Sequence, residues 1–183
     1  MEGLIYYDEP HRFVDDRGFF QEVFNGPRMG QSSDDCGTLP LSMVQMNHSR
    51  SVKGVLRGLH WQKPNPVGKF VTCLHGRILD VVVDIRQSSP TFKEWKAYEL
   101  DSERGQRLWV PEGFAHGFVV ISPIADVLYL QSAPFDSAGD RVLRWNDPAI
   151  GIDWPVMLDK FIISEKDKSA PLLSELPGDA LFD

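Results

Sequence analysis

Two histidines in apolar stretches are the residues of this sequence whose type and surroundings could do chemistry. His60 ends the run VLRGLH at residues 55–60, and His116 lies in PEGFAHGF at residues 111–118. A single histidine in such a run is commonly a packed core or surface residue. Two of them, together with single Lys, Tyr and Asp residues elsewhere, are typical of a site that moves protons next to a carbonyl group. The sequence therefore predicts an all-β enzyme that transfers protons with side chains.

Three further residues could assist the histidines, although each has a simpler interpretation. Lys69 would oppose His60 if the strands around residues 64–66 formed a hairpin, and a cation there would stabilise an oxyanion. A solvated lysine is the alternative. Tyr129 lies in a predicted strand, where packing is the usual role of tyrosine. Asp167 lies in a polar C-terminal segment, where an exposed charge is usual.

Polar and aromatic residues near the N-terminus suggest a ligand surface. The run DRGFFQE at residues 16–22 predicts a turn that leads into a strand. Its arginine suits a phosphate, its aromatic rings suit stacking on a planar base, and its carboxylate suits a hydroxyl. A plain edge hairpin is the alternative. Further on, Gln45, Asn47 and Ser49 alternate and so share one strand face, which suits either a polar ligand or solvent.

Composition limits the class of protein. The chain has 183 residues, which is enough for a full hydrophobic core in one domain, expected over residues 1–183. A net charge of −7 argues against a nucleic-acid partner. The two cysteines, Cys36 and Cys73, form no disulfide framework, and we expect both to be reduced. We see neither a signal peptide nor an apolar run of membrane-spanning length, so we expect a cytoplasmic protein.

The elements that must position these residues are short strands separated by turns. The spacing indicates a β-sandwich or jelly roll, with short helical turns near residues 156–160 and from Ser164. His75 and Gly76 predict a tight hairpin turn, and residues 25–40 predict a mobile loop. Strands are predicted at residues 42–47, 53–60, 68–74, 77–86, 94–100, 107–110, 117–121, 126–131 and 142–145.

Taken in order, these motifs resemble the dTDP-4-dehydrorhamnose 3,5-epimerase family. The matching pieces span roughly residues 12–172: DRGFFQE (16–22), QMNHS (45–49), VLRGLH (55–60), DVVVDIR (80–86), SPTF (89–92), PEGFAHGF (111–118), RWNDP (144–148), GIDWP (151–155) and SEKD (164–167). The resemblance implies a cupin-type jelly roll, as a homodimer whose N-terminal strands cross to the partner. It also implies an isomerase of deoxysugar biosynthesis that epimerises carbons 3 and 5 of dTDP-4-dehydro-6-deoxyglucose.

The resemblance assigns a role to each candidate. It implies His60 as the base, oriented by Asp167, Tyr129 as the acid, and Lys69 as the group that stabilises the oxyanion. The implied substrate-binding residues are Arg17 and Arg57 at the diphosphate, His116 in the pocket, and Phe20, Glu22, Gln45 and Asn47 at the nucleoside. Because acid and base are both side chains, no cofactor is required.

Two features bear on alternative functions. Family members commonly carry a second tyrosine near the sugar and diphosphate, a few residues after the acid, and Phe135 stands at that substrate-binding place. This substitution raises the alternative of an epimerase that acts on one carbon only. Metal-binding cupins carry an HxH pair, whereas here the sequence is His60-Trp61-Gln62, so no metal site is expected. A 3,4-ketoisomerase and a non-catalytic sugar-binding cupin are further alternatives, and neither explains the complete proton-transfer set.

Overall fold

Thirteen strands account for most of the regular secondary structure in a computed structural model that describes residues 1–7, 11–29, 42–155 and 160–183. The strands are β1 (Ile5–Tyr7), β2 (Arg12–Asp15), β3 (Gly18–Gln21), β4 (Gln45–Val52), β5 (Val55–Gln62), β6 (Lys69–His75), β7 (Arg77–Asp84), β8 (Trp95–Asp101), β9 (Arg107–Val110), β10 (Phe114–Val120), β11 (Ile124–Gln131), β12 (Asp140–Val142) and β13 (Ile162–Ile163). Two four-residue helices, α1 (Gly26–Met29) and α2 (Glu165–Lys168), and a 3₁₀ turn at Leu173–Glu175 complete the regular elements of the described ranges.

The strands form two main sheets and a separate hairpin. One sheet has the order β1-β9-β6-β11-β4, and the other has the order β12-β5-β10-β7-β8, with β13 added parallel to β5. All other pairings in both sheets are antiparallel. The hairpin of β2 and β3 pairs with neither sheet. The predicted all-β architecture with short C-terminal helical segments is confirmed.

The core lies between the two sheets. Val71 and Val127 from the first sheet pack against Ile78 and Val82 from the second, all fully buried. Burial of each such side chain contributes about 1.5–3 kcal/mol. A second cluster covers the outer face of the six-stranded sheet, where the C-terminal segment packs on Trp61. Because both faces of the central strands β7 and β10 are covered, most of their residues are apolar.

The hairpin predicted at His75 and Gly76 is wrong, and the hairpin considered as a possibility around residues 64–66 does not form. β6 and β7 are separated only by Gly76, yet they belong to different sheets, so the chain turns a corner between the sheets at this point. Gly76 has φ +75°, and a Cβ here would lie 2.0 Å from the Ile124 carbonyl oxygen, so glycine is required. The connection through residues 64–66 likewise joins β5 to β6 across the two sheets.

Several predicted boundaries also differ. The strand predicted at residues 42–47 begins at Gln45 and continues to Val52, while that predicted at 142–145 is β12, which ends at Val142. Part of the predicted 25–40 loop is the helix α1, and residues 30–41 lie outside the described residues. So do residues 156–159 of the predicted helical turn, whereas the turn predicted from Ser164 is confirmed as α2.

Candidate active site

A cavity of about 700 Å³ opens between the two sheets, within the size range of small-molecule sites. It takes its walls from β4, β6 and β11 on one side and from β5 and β10 on the other, with α2 at its edge. The predicted site residues that line it are Gln45, Asn47, Arg57, His60, Lys69, His116, Tyr129, Phe135 and Asp167.

His60 and Asp167 form a hydrogen-bonded ionisable pair at the cavity. His60 Nε2 lies 2.7 Å from Asp167 Oδ1, although 107 residues separate them in sequence. Asp167 is held by the first turn of α2, where its backbone N–H donates to the Ser164 hydroxyl. Its second oxygen accepts from the Gly58 N–H at 3.4 Å. The Asp167 side chain is 5% exposed, whereas that of His60 is 32% exposed, so the imidazole faces the cavity.

The surroundings of Asp167 fix the protonation pattern of this pair. Burial alone would raise the pKa of Asp167, but the hydrogen bond and charge of His60, the Gly58 N–H and the Ser164 hydroxyl together lower it. An ionised Asp167 accepts the proton of Nε2, which leaves the lone pair on Nδ1. His60 is therefore arranged as a base whose tautomer is set by its carboxylate partner.

A β-bulge lets two site residues on β5 share one wall. Arg57 and His60 are three residues apart and would point to opposite faces of a regular strand. However, β5 pairs Arg57 with Phe118 and His60 with His116. The two residues Gly58 and Leu59 therefore lie opposite the single residue Gly117 of β10. Gly58 has φ +119°, and a Cβ there would lie 2.6 Å from the Gly117 Cα, so only glycine fits the bulge.

A second histidine–carboxylate pair lies beside the first. His116 Nε2 is 2.9 Å from both carboxylate oxygens of Asp80, and both side chains are buried, at 8% and 0% exposure. The sequence analysis named His116 but missed Asp80. The available signal was a carboxylate within the apolar strand residues 77–86, because a buried charge requires a partner.

Lys69 reaches across the cavity from the opposite sheet. Its ammonium donates to the His60 carbonyl oxygen at 3.4 Å, which brings together the two residues predicted to oppose each other, though not through a hairpin. Burial lowers the pKa of Lys69 to about 8, against the opposing effect of the negative charges on Asp140 and Asp80. At neutral pH the lysine is therefore a protonated donor within the cavity.

Tyr129 lies on the same wall as Lys69. In β11 it is two residues from Gln131, whose register partner on β6 is Lys69. Tyr129 is half-buried, and this burial raises the pKa of its phenol although the positive charge of Arg57 opposes the shift. The hydroxyl is therefore protonated at neutral pH and can donate a proton. The cavity thus has a basic imidazole on one wall and a phenol on the other.

The N-terminal residues predicted to bind substrate do not line this cavity. Arg17 is almost fully exposed and pairs with Asp15 in the β2–β3 turn, and Phe20 is 70% exposed on the same hairpin. Phe20 and Glu22 instead line a separate concavity of about 580 Å³, together with Arg107. Within one copy of the chain, the structure does not bring these three predicted residues to His60.

The described residues hold neither a cluster suited to a metal ion nor a membrane-spanning helix. In residues 1–7, 11–29, 42–155 and 160–183, no three His, Cys, Asp or Glu side chains are grouped so that they could hold a metal ion. Over the same ranges no helix has the length and apolar character needed to cross a membrane. Cys73 is a buried free thiol, and burial raises its pKa to about 12. Cys36 lies outside the described residues.

Comparisons with known proteins agree on one family. A family model described as dTDP-4-dehydrorhamnose 3,5-epimerase matches residues 1–175. The enzyme of that name from Sinorhizobium fredii is 45% identical over 170 residues, which are 92% of this chain and 84% of the relative. A dTDP-6-deoxy-D-glucose-3,5-epimerase from Legionella pneumophila, solved with dTDP-4-keto-L-rhamnose, has a TM-score of 0.90 and 38% identity over 100% of this chain and 94% of its own.

A solved relative with a narrower activity is also similar. The 3'-monoepimerase from Streptomyces bikiniensis, in complex with dTDP-quinovose, has a TM-score of 0.85 and 33% identity, covering 94% of this chain and 85% of its own. Together with the two antiparallel sheets, these likenesses confirm the prediction of a cupin-type jelly roll.

Proposed function

The chain belongs to the dTDP-4-dehydrorhamnose 3,5-epimerase family, and we propose on that basis that it epimerises carbons 3 and 5 of dTDP-4-dehydro-6-deoxyglucose. The product would be dTDP-4-dehydrorhamnose, made by an isomerase that acts in deoxysugar biosynthesis. The observation that carries the proposal is the facing arrangement of His60 and Tyr129 on the two walls of one cavity. Inversion at a carbon needs a proton to leave one face and another to arrive on the opposite face.

The first step is removal of a proton by His60. The ketone at carbon 4 acidifies the protons on carbons 3 and 5, because the electron pair left behind delocalises onto the ketone oxygen. The free Nδ1 of His60 takes the proton, and Asp167, at 2.7 Å from Nε2, stabilises the imidazolium that forms.

The negative charge that develops on the ketone oxygen requires a donor. Lys69 reaches from one wall to the His60 carbonyl on the other, and its pKa of about 8 keeps it protonated at neutral pH. In a site from which water is largely excluded, such a preorganised charge contributes a few kcal/mol to the stability of the enolate. Tyr129 then returns a proton from the opposite wall. Since base, acid and enolate donor are all side chains, the proposed mechanism uses no cofactor.

Substrate binding divides between one subunit and its partner. Arg57 lines the cavity with its guanidinium bonded to Ser51 Oγ, and it would hold the diphosphate. Gln45 and Asn47 at the cavity would contact the nucleoside, and Phe135 would lie near the sugar and diphosphate. The exposed β2–β3 hairpin supports a homodimer in which Arg17, Phe20 and Glu22 complete the site of the other subunit. The exposed apolar side chains of this hairpin would be covered in such a dimer.

A second candidate is an epimerase that acts at one carbon only. It is favoured by the likeness to the 3'-monoepimerase and by Phe135, which offers no hydroxyl at the cavity. The two candidates share the base and the enolate donor, and they differ in whether one carbon or both are reprotonated from the wall of Tyr129.

Solvent deuterium incorporation tests both. The protein is incubated in heavy water with dTDP-4-dehydro-6-deoxyglucose, and the signals of carbons 3 and 5 are followed by proton NMR with the product trapped by its reductase. Loss of both proton signals, with rhamno-configured product, is expected. Exchange at one carbon would establish the narrower activity, and exchange at neither would contradict both.

A further inference from the structure

Three side-chain amides along β4 and β11 form a one-way hydrogen-bond chain. The Phe135 backbone N–H donates to Gln45 Oε1 at 2.8 Å, and Gln45 Nε2 donates to Asn47 Oδ1 at 3.0 Å. Asn47 Nδ2 in turn donates to Gln131 Oε1 at 3.0 Å. Each amide accepts at its oxygen, and those of Gln45 and Asn47 also donate from their nitrogens, so the chain fixes the orientation of every carboxamide in it.

The chain ends at Gln131 with a donor group still available. Gln131 is 5% exposed, and it lines the cavity. Among the described residues its Nε2 donates to no acceptor. This nitrogen also keeps some exposed surface, since it is absent from the described side-chain atoms that are both fully buried and unpartnered. The nitrogen therefore opens onto the cavity. A nearly buried N–H pair that faces a ligand cavity is a ready donor, because leaving it unpaired is costly.

Gln131 is also placed close to the proposed chemistry. Its register partners are Lys69 on β6 and Gln45 on β4, so the three side chains stand at one level of the wall. Tyr129 lies two residues earlier on the same face of β11, about 7 Å along the strand. The proposed acid and enolate donor thus both have Gln131 as a neighbour.

We propose that Gln131 is the positioning residue that decides which carbon of the hexose faces Tyr129, by donating from Nε2 to a ring or hydroxyl oxygen of the sugar. This inference rests on the proposed function. Carbons 3 and 5 flank carbon 4 symmetrically, so a contact between Lys69 and the ketone oxygen alone leaves the ring free to turn about that oxygen. A second donor on the same wall removes this freedom and fixes which of the two carbons lies next to the Tyr129 hydroxyl.

Two variants separate the donor from the rest of the side chain. Gln131→Met keeps the length of the side chain but can neither donate to the sugar nor accept from Asn47. Gln131→Glu keeps the acceptor for Asn47 and loses the N–H donor. Gln106→Met is the matched control, because Gln106 is a glutamine buried to 1% exposure that accepts the Asp101 N–H and does not line the cavity.

The readout is the ratio of deuterium incorporated at carbon 3 to that at carbon 5, together with kcat, KM and Tm. We expect both Gln131 variants to change the ratio by about threefold or more and to lower kcat/KM by about tenfold, as the loss of one hydrogen bond to substrate predicts. The Gln106→Met protein should keep the wild-type ratio whatever its Tm.

The outcomes distinguish this inference from the function on which it rests. A wild-type protein that exchanges neither carbon would remove the proposed function itself. If the wild type exchanges and both Gln131 variants keep its ratio, Gln131 does not select the carbon. A change in the Met variant alone would overturn the donor role, because the Glu variant has lost the same N–H.

Discussion

His60 and His116 lie directly opposite each other on the antiparallel strands β5 and β10, and each is paired with a different buried carboxylate. Asp167 approaches His60 from α2, whereas Asp80 approaches His116 from the neighbouring strand β7. The two imidazoles are therefore held independently, although they share one wall of the cavity.

The exposure of the two imidazoles separates their roles. The His60 side chain is 32% exposed and the His116 side chain only 8%, so His60 has the better access to a ligand. The His116–Asp80 pair is more deeply buried in the wall. This difference makes His60, and not His116, the base of the proposed mechanism.

Replacement of the proposed base tests this assignment. We expect His60→Ala to abolish solvent exchange at both carbons, and Asp167→Asn to slow it by about 10²- to 10³-fold because the imidazolium loses its carboxylate partner. His48→Ala is the control, since His48 pairs with Asp126 at 3.1 Å on the exposed edge strand β4. Near-normal exchange by a folded His60→Ala protein would show that the base lies elsewhere.

Replacement of the proposed acid should separate exchange from product formation. Tyr129→Phe keeps the ring that packs in the wall and removes only the proton that the phenol returns. We expect deuterium still to enter the substrate through His60, while formation of the inverted product falls by about 10²-fold or more. NMR of the sugar and a coupled reductase assay measure the two rates on one sample. An equal fall in both would place Tyr129 in proton abstraction instead.

The strands could largely be predicted from the sequence, because their β-branched residues and turn signals are local. The hairpin predicted at His75 and Gly76 was wrong because turn chemistry does not say which sheet the next strand joins. Gly76 suits a hairpin and a corner between sheets equally well, and its close approach to the Ile124 carbonyl arises only in the folded chain. Sheet membership is a long-range property of packing.

The site could be predicted only in part for the same reason. No spacing rule relates His60 to Asp167, which the fold brings together across 107 residues, so the pair was inferred from family resemblance. Asp80 was missed because its partner lies on another strand. Gln131 gave no signal, since a glutamine that ends a strand has nothing distinctive in sequence.

Lys69 should lower the stability of the protein while it supports the proposed reaction. Its pKa falls from 10.5 to about 8 on burial, so the folded state binds fewer protons than the unfolded state between these values. The penalty is complete below pH 8 and is relieved as the pH rises towards 10.5. We expect Lys69→Met to raise the free energy of unfolding at pH 7 by about 1–2 kcal/mol. This is less than the pKa shift alone would give, because Lys69 is partly exposed and solvent screens its charge.

The same substitution should slow exchange by about 10²-fold, because the enolate loses its donor. Wild-type kcat/KM should also fall as the pH rises above about 8, where the ammonium is lost. Urea unfolding and exchange rates between pH 6.5 and 9.5 measure both effects. A Lys69→Met protein that is both less stable and fully active would contradict the two expectations together.

Asp84 should have the opposite effect on stability from Lys69. It is fully buried, and it accepts hydrogen bonds from the Arg86 guanidinium, Ser89 Oγ and Thr91 Oγ1. Burial alone would raise its pKa, but these donors lower it from 3.8 to about 2. The folded state thus favours the ionised form, which contributes about 2 kcal/mol of stability above pH 4.

That contribution is lost as the pH falls from about 4 to about 2, because the Asp84 carboxyl is protonated in both the folded and the unfolded state once the pH is below both pKa values. We expect Asp84→Asn to lower the free energy of unfolding at neutral pH by about 2–4 kcal/mol, since Arg86 loses its partner, and to flatten this part of the acid profile. Glu165→Gln removes an exposed ion pair with Lys168 and should change neither quantity appreciably. Urea unfolding at pH 7 and at intervals below pH 4 provides the comparison. An Asp84→Asn protein with the wild-type acid profile would mean that another buried carboxylate governs acid unfolding.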